Sequence, residues 1–305
     1  MQGGSIKDYL MLHLIVLIWG FTAILGLLIT LPALELVFYR TLIASVGVLI
    51  LMWFRKKPVL IPFHEMWKVI GTGCLIALHW ILFFGSAKVS TASVCLAGMA
   101  TTSLWTAFVE PFINRTKIKW YEVLLGLIVI SGLLVIFKFE SGYWLGLSMA
   151  LVSAFLAAVF SVINGRLTQR HSPYQITFYE MAGACIFSLL FLPVYSFGFN
   201  DGVPIQWAWH GLDWFWLFLL GGICTVYAFS VSVELMKRLS VFSINLTVNL
   251  EPVYGIVLAV LIFGESEKMT PEFYYGTLII LISVLIYPVL NYWNRRRKKP
   301  VRTLG

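Results

Sequence analysis

The chain has 305 residues, of which 60% are hydrophobic and only 12% charged, with a formal net charge of +8 and a mean hydropathy of +0.88. Soluble domains carry about 25% charged residues, so this composition excludes an ordinary soluble protein and points to a chain that threads a bilayer repeatedly. The basic excess does not indicate nucleic acid, because the lysines and arginines cluster in short loops and in the tail NRRRKKPVR, the pattern of membrane orientation.

From the N-terminus, MQGGSIKDYL runs straight into LHLIVLIWGF without a small-residue cleavage site, so the first apolar run reads as a retained span. Runs long enough to cross a hydrocarbon core, about 20 residues each, fall at roughly 9–30, 32–54, 65–86, 90–113, 119–138, 143–165, 173–197, 212–234, 240–263 and 272–293. The predicted fold is an all-α integral membrane protein of ten transmembrane helices. Its connections are short, the longest being FGFNDGVPIQWAWHGLD, and leave no room for a soluble domain. Cys74, Cys95, Cys185 and Cys224 lie in apolar runs without paired spacing and read as packing residues, so neither disulfide nor metal is expected. Trp144, Trp207, Trp209 and Trp214 near span ends read as interfacial anchors.

With the N-terminus in the cytoplasm, 18 of the 22 lysines and arginines fall on the cytoplasmic side, including Arg55, Lys56 and Lys57, the loop RTKIK, Lys237, Arg238 and the basic tail. Only Lys88, Lys138 and Lys268 fall outside, and Arg40 lies within a span. Both termini are therefore predicted to be cytoplasmic.

The two halves resemble each other. VFYRTLIA at 37–44 aligns with TFYEMAGA at 177–184, and AKVSTASVCL at 87–96 aligns with KRLSVFSINL at 237–246, matching Ser90 to Ser240 and Ser93 to Ser243. Five spans per half is an odd number, so the halves must face opposite ways. The loop charges agree, since RTKIK is basic whereas its counterpart ESEKM is net acidic. Residues 1–140 and 141–294 are thus expected to form two inverted five-helix repeats, an architecture of secondary transporters, with 295–305 as a basic cytoplasmic tail.

At this level the chain resembles the EamA family of the drug/metabolite transporter superfamily. The resemblance rests on LIWGFTAI in span one, PALELVFYRTLIA leading into span two, and LEPVYGIVLAVLIFGE followed by Gly276 in the second half. It implies a multi-pass protein of the bacterial inner membrane that exports amino acids, drugs or other small metabolites. The first half departs from the pattern: where an apolar-Gly-Glu turn is usual it reads INRTK, with Arg115 at the position of Glu265.

Charged and polar residues at span depth are expensive and mark candidate sites. Glu35, Glu110 and Glu234 lie near span ends and need no functional account, whereas Arg40, His79, Glu180 and Glu251 are deep. Glu251 sits mid-span, where a charge costs about 2.5–3.5 kcal/mol on insertion scales, so it is expected to face a cavity, binding a substrate amine or carrying a proton; the alternative is a protonated acid hydrogen-bonded to a neighbouring helix, holding the bundle together. Pro252 beside it withholds an N–H and is expected to break the helix there, drawing Glu251 out of regular helix. Asn245, Thr247 and Asn249 precede the break, and Thr101 and Thr102 are their counterparts in the first half. Thr247 and Gly255, one turn either side of Glu251, are expected to leave space beside the carboxylate. Trp19, Trp80 and Tyr227 are deep aromatics able to stack on an aromatic or cationic solute, and His79 is a further candidate for the cavity wall. A lone histidine is equally a packed core residue. Arg40 and Glu180, equivalent as FYR and FYE, read as structural charges that either pair across the bundle or bond locally.

The leading reading is a secondary transporter of small metabolites, with the lipid bilayer and a small-molecule substrate as partners and a coupling proton and a homodimer left open. No cofactor is expected. A phosphorylated or nucleotide-sugar-like substrate is the runner-up, but a buried phosphate calls for several Lys or Arg and only Arg40 lies in the spans. The scattered histidines give no catalytic cluster, so an intramembrane enzyme is not expected. A sensor or a scramblase is the remaining alternative.

Overall fold

The computed structural model describes residues 5–139, 141–199, 205, 207–267 and 269–297. Lys268 and the tail beyond Arg297 lie outside the described residues. Those described form helices, turns and short loops, with no strand among them. In chain order the helices are α1 (Ile6–Gly20), α2 (Thr22–Leu28), α3 (Ala33–Phe54), α4 (Phe63–Val89), α5 (Ala92–Met99), α6 (Thr102–Asn114), α7 (Trp120–Phe139), α8 (Trp144–Leu167), α9 (Pro173–Phe199), α10 (Asp213–Gly221), α11 (Ala228–Leu235), α12 (Val241–Val248), α13 (Glu251–Phe263) and α14 (Pro271–Arg297), with a π-helical segment Gly222–Tyr227 between α10 and α11.

Eight helical runs are long and apolar enough to cross a membrane: Ile6–Leu28, Ala33–Phe54, Phe63–Val89, Ala92–Asn114, Trp144–Leu167, Pro173–Gly198, Asp213–Leu235 and Val241–Phe263. The predicted spans at 119–138 and 272–293 correspond to α7 and α14, which pack along each other and join the bundle through α6 and α12. The outward faces carry exposed apolar side chains such as Phe112, Leu190 and Leu261, which suits hydrocarbon and not water.

Four of the eight runs are interrupted. The α5–α6 and α12–α13 runs break alike, and the local chemistry explains both. Thr91 caps α5 by accepting from the amide of Val94, and Ser240 caps α12 by accepting from the amide of Ser243. Each first piece has 8 residues and each second piece 13. The register between them is therefore 149 residues (240 minus 91), one less than the match of Ser90 to Ser240 implies. In the corrected register Thr102 stands opposite Glu251, and Arg115 stands opposite Gly264 rather than Glu265. Both of these last residues end their helices with positive φ, 53° and 61°, so Arg115 adopts the left-handed turn that glycine favours.

The second break also differs from expectation. It falls at Asn249–Leu250, and Glu251 is the first residue of α13, so Glu251 is helical. Proline is tolerated in a first turn, where its missing N–H would have had no partner. Pro252 therefore marks the start of the second piece and not the gap itself. In the first half the gap at Ala100–Thr101 is closed by hydroxyls, with Thr101 Oγ1 donating to Gly98 O at 2.8 Å and Thr102 Oγ1 to Met99 O at 2.7 Å.

Helices meet most closely where side chains are absent. A Cβ on Gly73 of α4 would lie 2.3 Å from the carbonyl oxygen of Glu180, and one on Gly183 of α9 would lie 2.4 Å from that of Ile70. The α4–α9 crossing is thus backbone against backbone, the mode that small residues permit between apolar helices. Gly255 behaves likewise, since its Cβ would lie 2.3 Å from Leu96 Cδ1 and 2.7 Å from Gly20 O. This corrects its expected role, because it seats α13 against α1 and α5 and leaves no space beside Glu251.

The glycine contact is testable. Gly73→Leu is expected to destabilise the protein by at least the roughly 1–3 kcal/mol of an overpacked core, because the atoms it meets are backbone. Gly71→Leu, with nothing within 4 Å of its Cβ, should be near neutral. Equal thermal unfolding temperatures for the two variants in detergent would contradict this packing.

Candidate functional site

A cavity of about 90 Å³ lies among the interrupted helices and their neighbours, room for several waters. Residues of α1–α6, α8 and α11–α13 form its wall, and among the described residues α7 and α14 contribute none. Much of the wall is aromatic: Trp19, Trp80, Phe83, Phe160 and Phe229, with Met99 and Met236 beside them. Set into it are Arg40, His79, Thr102, Ser161, Asn164, Ser232, Asn245 and Glu251.

Glu251 lies midway along its 23-residue run and is 6% exposed. The break just before it opens the helix where the cavity meets the wall. Arg40 is 2% exposed and is held by two groups. Its Nε donates to Thr225 Oγ1 at 2.9 Å, and its guanidinium carbon lies 3.7 Å from the centroid of the Trp80 ring, a cation–π contact that replaces part of its lost hydration. Arg40 and Glu251 both line the cavity, so its wall carries one basic and one acidic group.

The π segment builds this arrangement. Its wider turn lets Thr225 Oγ1 donate to Leu220 O, five residues back, at 2.8 Å while accepting from Arg40. It also leaves the carbonyl of Cys224 to accept from Trp19 Nε1 at 3.0 Å. Single π turns recur at functional positions, and here one turn fixes both a cation and an aromatic of the wall.

His79 is oriented by Ser153. Its Nδ1 lies 3.0 Å from Ser153 O and 2.8 Å from Ser153 Oγ, while that hydroxyl donates to His79 O at 2.8 Å. A carbonyl only accepts, so Nδ1 carries the hydrogen. The ring lies against Phe160 at a tilt, with centroids 5.3 Å apart and planes inclined by 57°. Among the described residues no group of His, Cys, Asp and Glu could hold a metal.

The two broken runs are tied together by amides. Asn245 Nδ2 donates to Thr106 Oγ1 at 2.9 Å, and Asn249 Nδ2 donates to Ser103 Oγ at 2.5 Å. Of the sequence candidates, Glu251, Asn245, Thr102, His79, Trp80 and Trp19 therefore lie on one wall, and Arg40 joins them. Asn249 and Thr101 are buried beside the breaks but off the wall. Thr247 returns its hydroxyl to Ser243 O. Tyr227 is 41% exposed on the outside, its hydroxyl directed at Met11 Sδ, because the π turn carries an extra residue and shifts the helix phase. Arg40 and Glu180 do not pair across the bundle; Glu180 bonds locally to Asn164.

Sequence reasoning missed Phe160, Phe229, Met99, Thr225 and Ser153, none of which stands out within an apolar run. Asn164 was visible in VINGRL as a polar residue inside a span.

Outside the cavity, polar contacts fasten the first run to the second half at both ends. At one end Asp8 Oδ1 accepts from Arg238 Nε at 2.7 Å. At the other, Asp213 accepts from the amide and hydroxyl of Thr30 at 2.8 and 2.6 Å.

The chain is 27% identical over 162 residues to the pseudopaline exporter CntI of Pseudomonas aeruginosa, covering 52% of this chain and 56% of the exporter. It is 22% identical to the uncharacterized transporter sll1164 of Synechocystis over 74% of this chain and 65% of the relative. An uncharacterized transporter of Archaeoglobus fulgidus is 25% identical over 88% of this chain and 92% of its own length. A solved crystal structure superimposes with a TM-score of 0.70 at 17% identity, covering 97% of this chain and all of the other, a likeness of fold. The model of the EamA-like transporter family fits twice, over residues 6–138 and again over 144–287. Two consecutive matches account for almost the whole bundle whose broken helices surround the cavity, and the chain therefore belongs to the EamA-like transporter family.

Proposed function

We propose that this membrane protein is a secondary transporter exporting small amphipathic metabolites, amino acids foremost, across the inner membrane by alternating access. The observation that carries this reading is the presence of both Arg40 and Glu251 on one aromatic wall. A zwitterion presents an amine to a carboxylate and a carboxylate to a guanidinium, and its side chain can lie on tryptophan and phenylalanine. Export is supported by the name of the Pseudomonas aeruginosa relative. A phosphorylated solute fits less well, since Arg40 is the one cationic side chain among the described lining residues and phosphate recognition draws on several. Chemistry on the solute is not part of this reading.

In the proposed architecture α7 and α14 are the fifth and tenth spans. Residues 1–140 and 141–294 are then inverted repeats, with both termini in the cytoplasm. The doubled family match and the equal lengths of the two broken runs support the doubling, and the lysine and arginine bias supports the orientation.

Topology can be checked by single cysteines. A cysteine at position 117 should label only from the cytoplasm and one at position 268 only from outside; labelling of both from one side would end the inverted-repeat proposal.

Transport can be checked in proteoliposomes with labelled tryptophan as zwitterion, tryptamine as cation and UDP-glucose as phosphorylated solute. Tryptophan flux is expected to lead, and movement of UDP-glucose alone would overturn the substrate reading. Glu251→Gln, similar in size and still able to hydrogen-bond, should fold normally yet lower tryptophan flux by about tenfold, roughly 1.4 kcal/mol, and flatten its pH dependence. Unchanged flux and an unchanged pH profile would remove Glu251 from the site.

A further inference from the structure

Behind the cavity wall lies a carboxyl group that the substrate reading does not use. Glu180 on α9 is wholly buried. One of its oxygens, Oε2, accepts from Asn164 Nδ2 at 3.3 Å. Its other oxygen, Oε1, has no hydrogen-bond partner, and neither has Asn164 Oδ1, although Asn164 is equally buried. A buried polar atom left unpaired costs about 1–3 kcal/mol, and more when charged. Two unpaired oxygens on two side chains already joined by one hydrogen bond need a common explanation.

A carboxylate and an amide facing each other can form one hydrogen bond, from N–H to oxygen, and their remaining oxygens are both acceptors. Adding one proton to the carboxylate changes this. Oε1–H can then donate to Oδ1 while Nδ2 continues to donate to Oε2, closing a ring in which both orphaned atoms are satisfied. Among the described residues no ion pair involves this carboxyl, and Asn164 is its hydrogen-bond partner.

Helix α9 packs against α3, α4 and α11, and the titratable groups Arg40, Cys74, His79 and Glu234 on them are engaged elsewhere. Arg40 of α3 holds Thr225 and Trp80, Cys74 of α4 returns its thiol to Ile70 O, and His79 of α4 bonds Ser153. Glu234 of α11 pairs with Arg238, and Cys185 of α9 itself meets Thr41.

We propose that Glu180 and Asn164 share a proton as a closed acid–amide pair, and that this pair is the coupling site through which proton binding communicates with the cavity. Asn164 is the link, because its side chain forms part of the cavity wall. A solute that donates a hydrogen bond to Asn164 Oδ1 opens the ring. The Oε1–H bond then loses its acceptor, the proton passes to cavity water, and the carboxylate remains with Asn164 Nδ2 still donating to Oε2; rebinding of a proton to Oε1 reclaims Oδ1, closes the ring and releases the solute. One proton is exchanged for one solute. This role rests on the transport reading above, but the existence of the protonated pair does not.

The closing experiment is infrared spectroscopy of the purified full chain at neutral pH with no solute added. Subtracting the E180Q spectrum from wild type should isolate the carbonyl stretch of a protonated carboxylic acid, and N164L should shift that band while leaving it present. Glutamine can close the same ring as an amide pair, so E180Q should unfold at a temperature close to wild type. Superimposable wild-type and E180Q spectra in the acid carbonyl region would overturn the protonated pair, as would a band indifferent to N164L. A thermal shift of the wild type that requires sodium ions would also overturn it, since those oxygens would then be metal ligands. In proteoliposomes with a pH-sensitive dye inside, the proton movement accompanying tryptophan flux should fall at least tenfold in E180Q. Proton movement equal to wild type would reject the coupling role. The infrared arm needs no solute, so it stands or falls apart from the choice of tryptophan as probe.

Discussion

Within hydrocarbon a backbone amide or carbonyl has no water to bond, and each one left unpaired costs several kcal/mol. A helix in a membrane can therefore stop only where protein replaces the missing partners. This constraint organises the molecule. The gaps at Phe21, Ala100–Thr101 and Asn249–Leu250, and the π segment Gly222–Tyr227, lie on helices that border the central cavity, and each is compensated locally. Threonine hydroxyls take up carbonyls at the first-half gap, and a tight turn from Leu250 N to Thr247 O does so in the second. The same irregularities turn polar groups inward, so the cavity and the broken backbone are one feature.

The charges of the interior divide by the way each is accommodated. Arg40 rests on an aromatic face and a hydroxyl, a combination that holds a guanidinium without a carboxylate at contact distance. Its sign is then available to whatever enters. Glu180 lies one side chain behind the wall and is bonded to an amide, so it reaches the cavity only through Asn164. Glu251 lines the cavity directly at the head of α13. Arg40 and Glu251 thus line the space itself, and Glu180 lies one side chain behind it. This arrangement differs from a structural network, in which such groups would neutralise one another by direct pairing.

Legibility in the sequence followed physical cost. All eight long runs were readable because hydrocarbon demands length and apolarity together, and Glu251, Arg40 and His79 were readable because polarity at depth is expensive. The register between the halves was misread by one residue, because Ser90 and Thr91 are both hydroxyl residues able to cap a helix, and only the folded backbone shows that Thr91 does so. Pro252 announced a break but not its position, since a first-turn proline is compatible with helix. Phe160, Phe229 and Met99 were invisible because an apolar wall residue looks like any other in an apolar run. Tyr227 was placed inward because an ordinary helical period was assumed across Gly222–Tyr227, where the chain is wound as a π-helix.

The crossing of α4 and α9 at Gly73 and Gly183 has a consequence for how such proteins diversify. The joint is made of main chain, and the cavity wall a few residues away is made of side chains. Replacing Trp80, Phe160 or Phe229 reshapes the enclosed space while the joint keeps its geometry, whereas any residue larger than glycine at the joint strains both helices at once. Variation is therefore channelled: the lining can drift from one descendant to another, and each half can alter its own share of the wall independently. A lineage built on this frame can acquire a new cargo by a handful of interior substitutions, with its architecture held fixed by two positions that contribute no side chain.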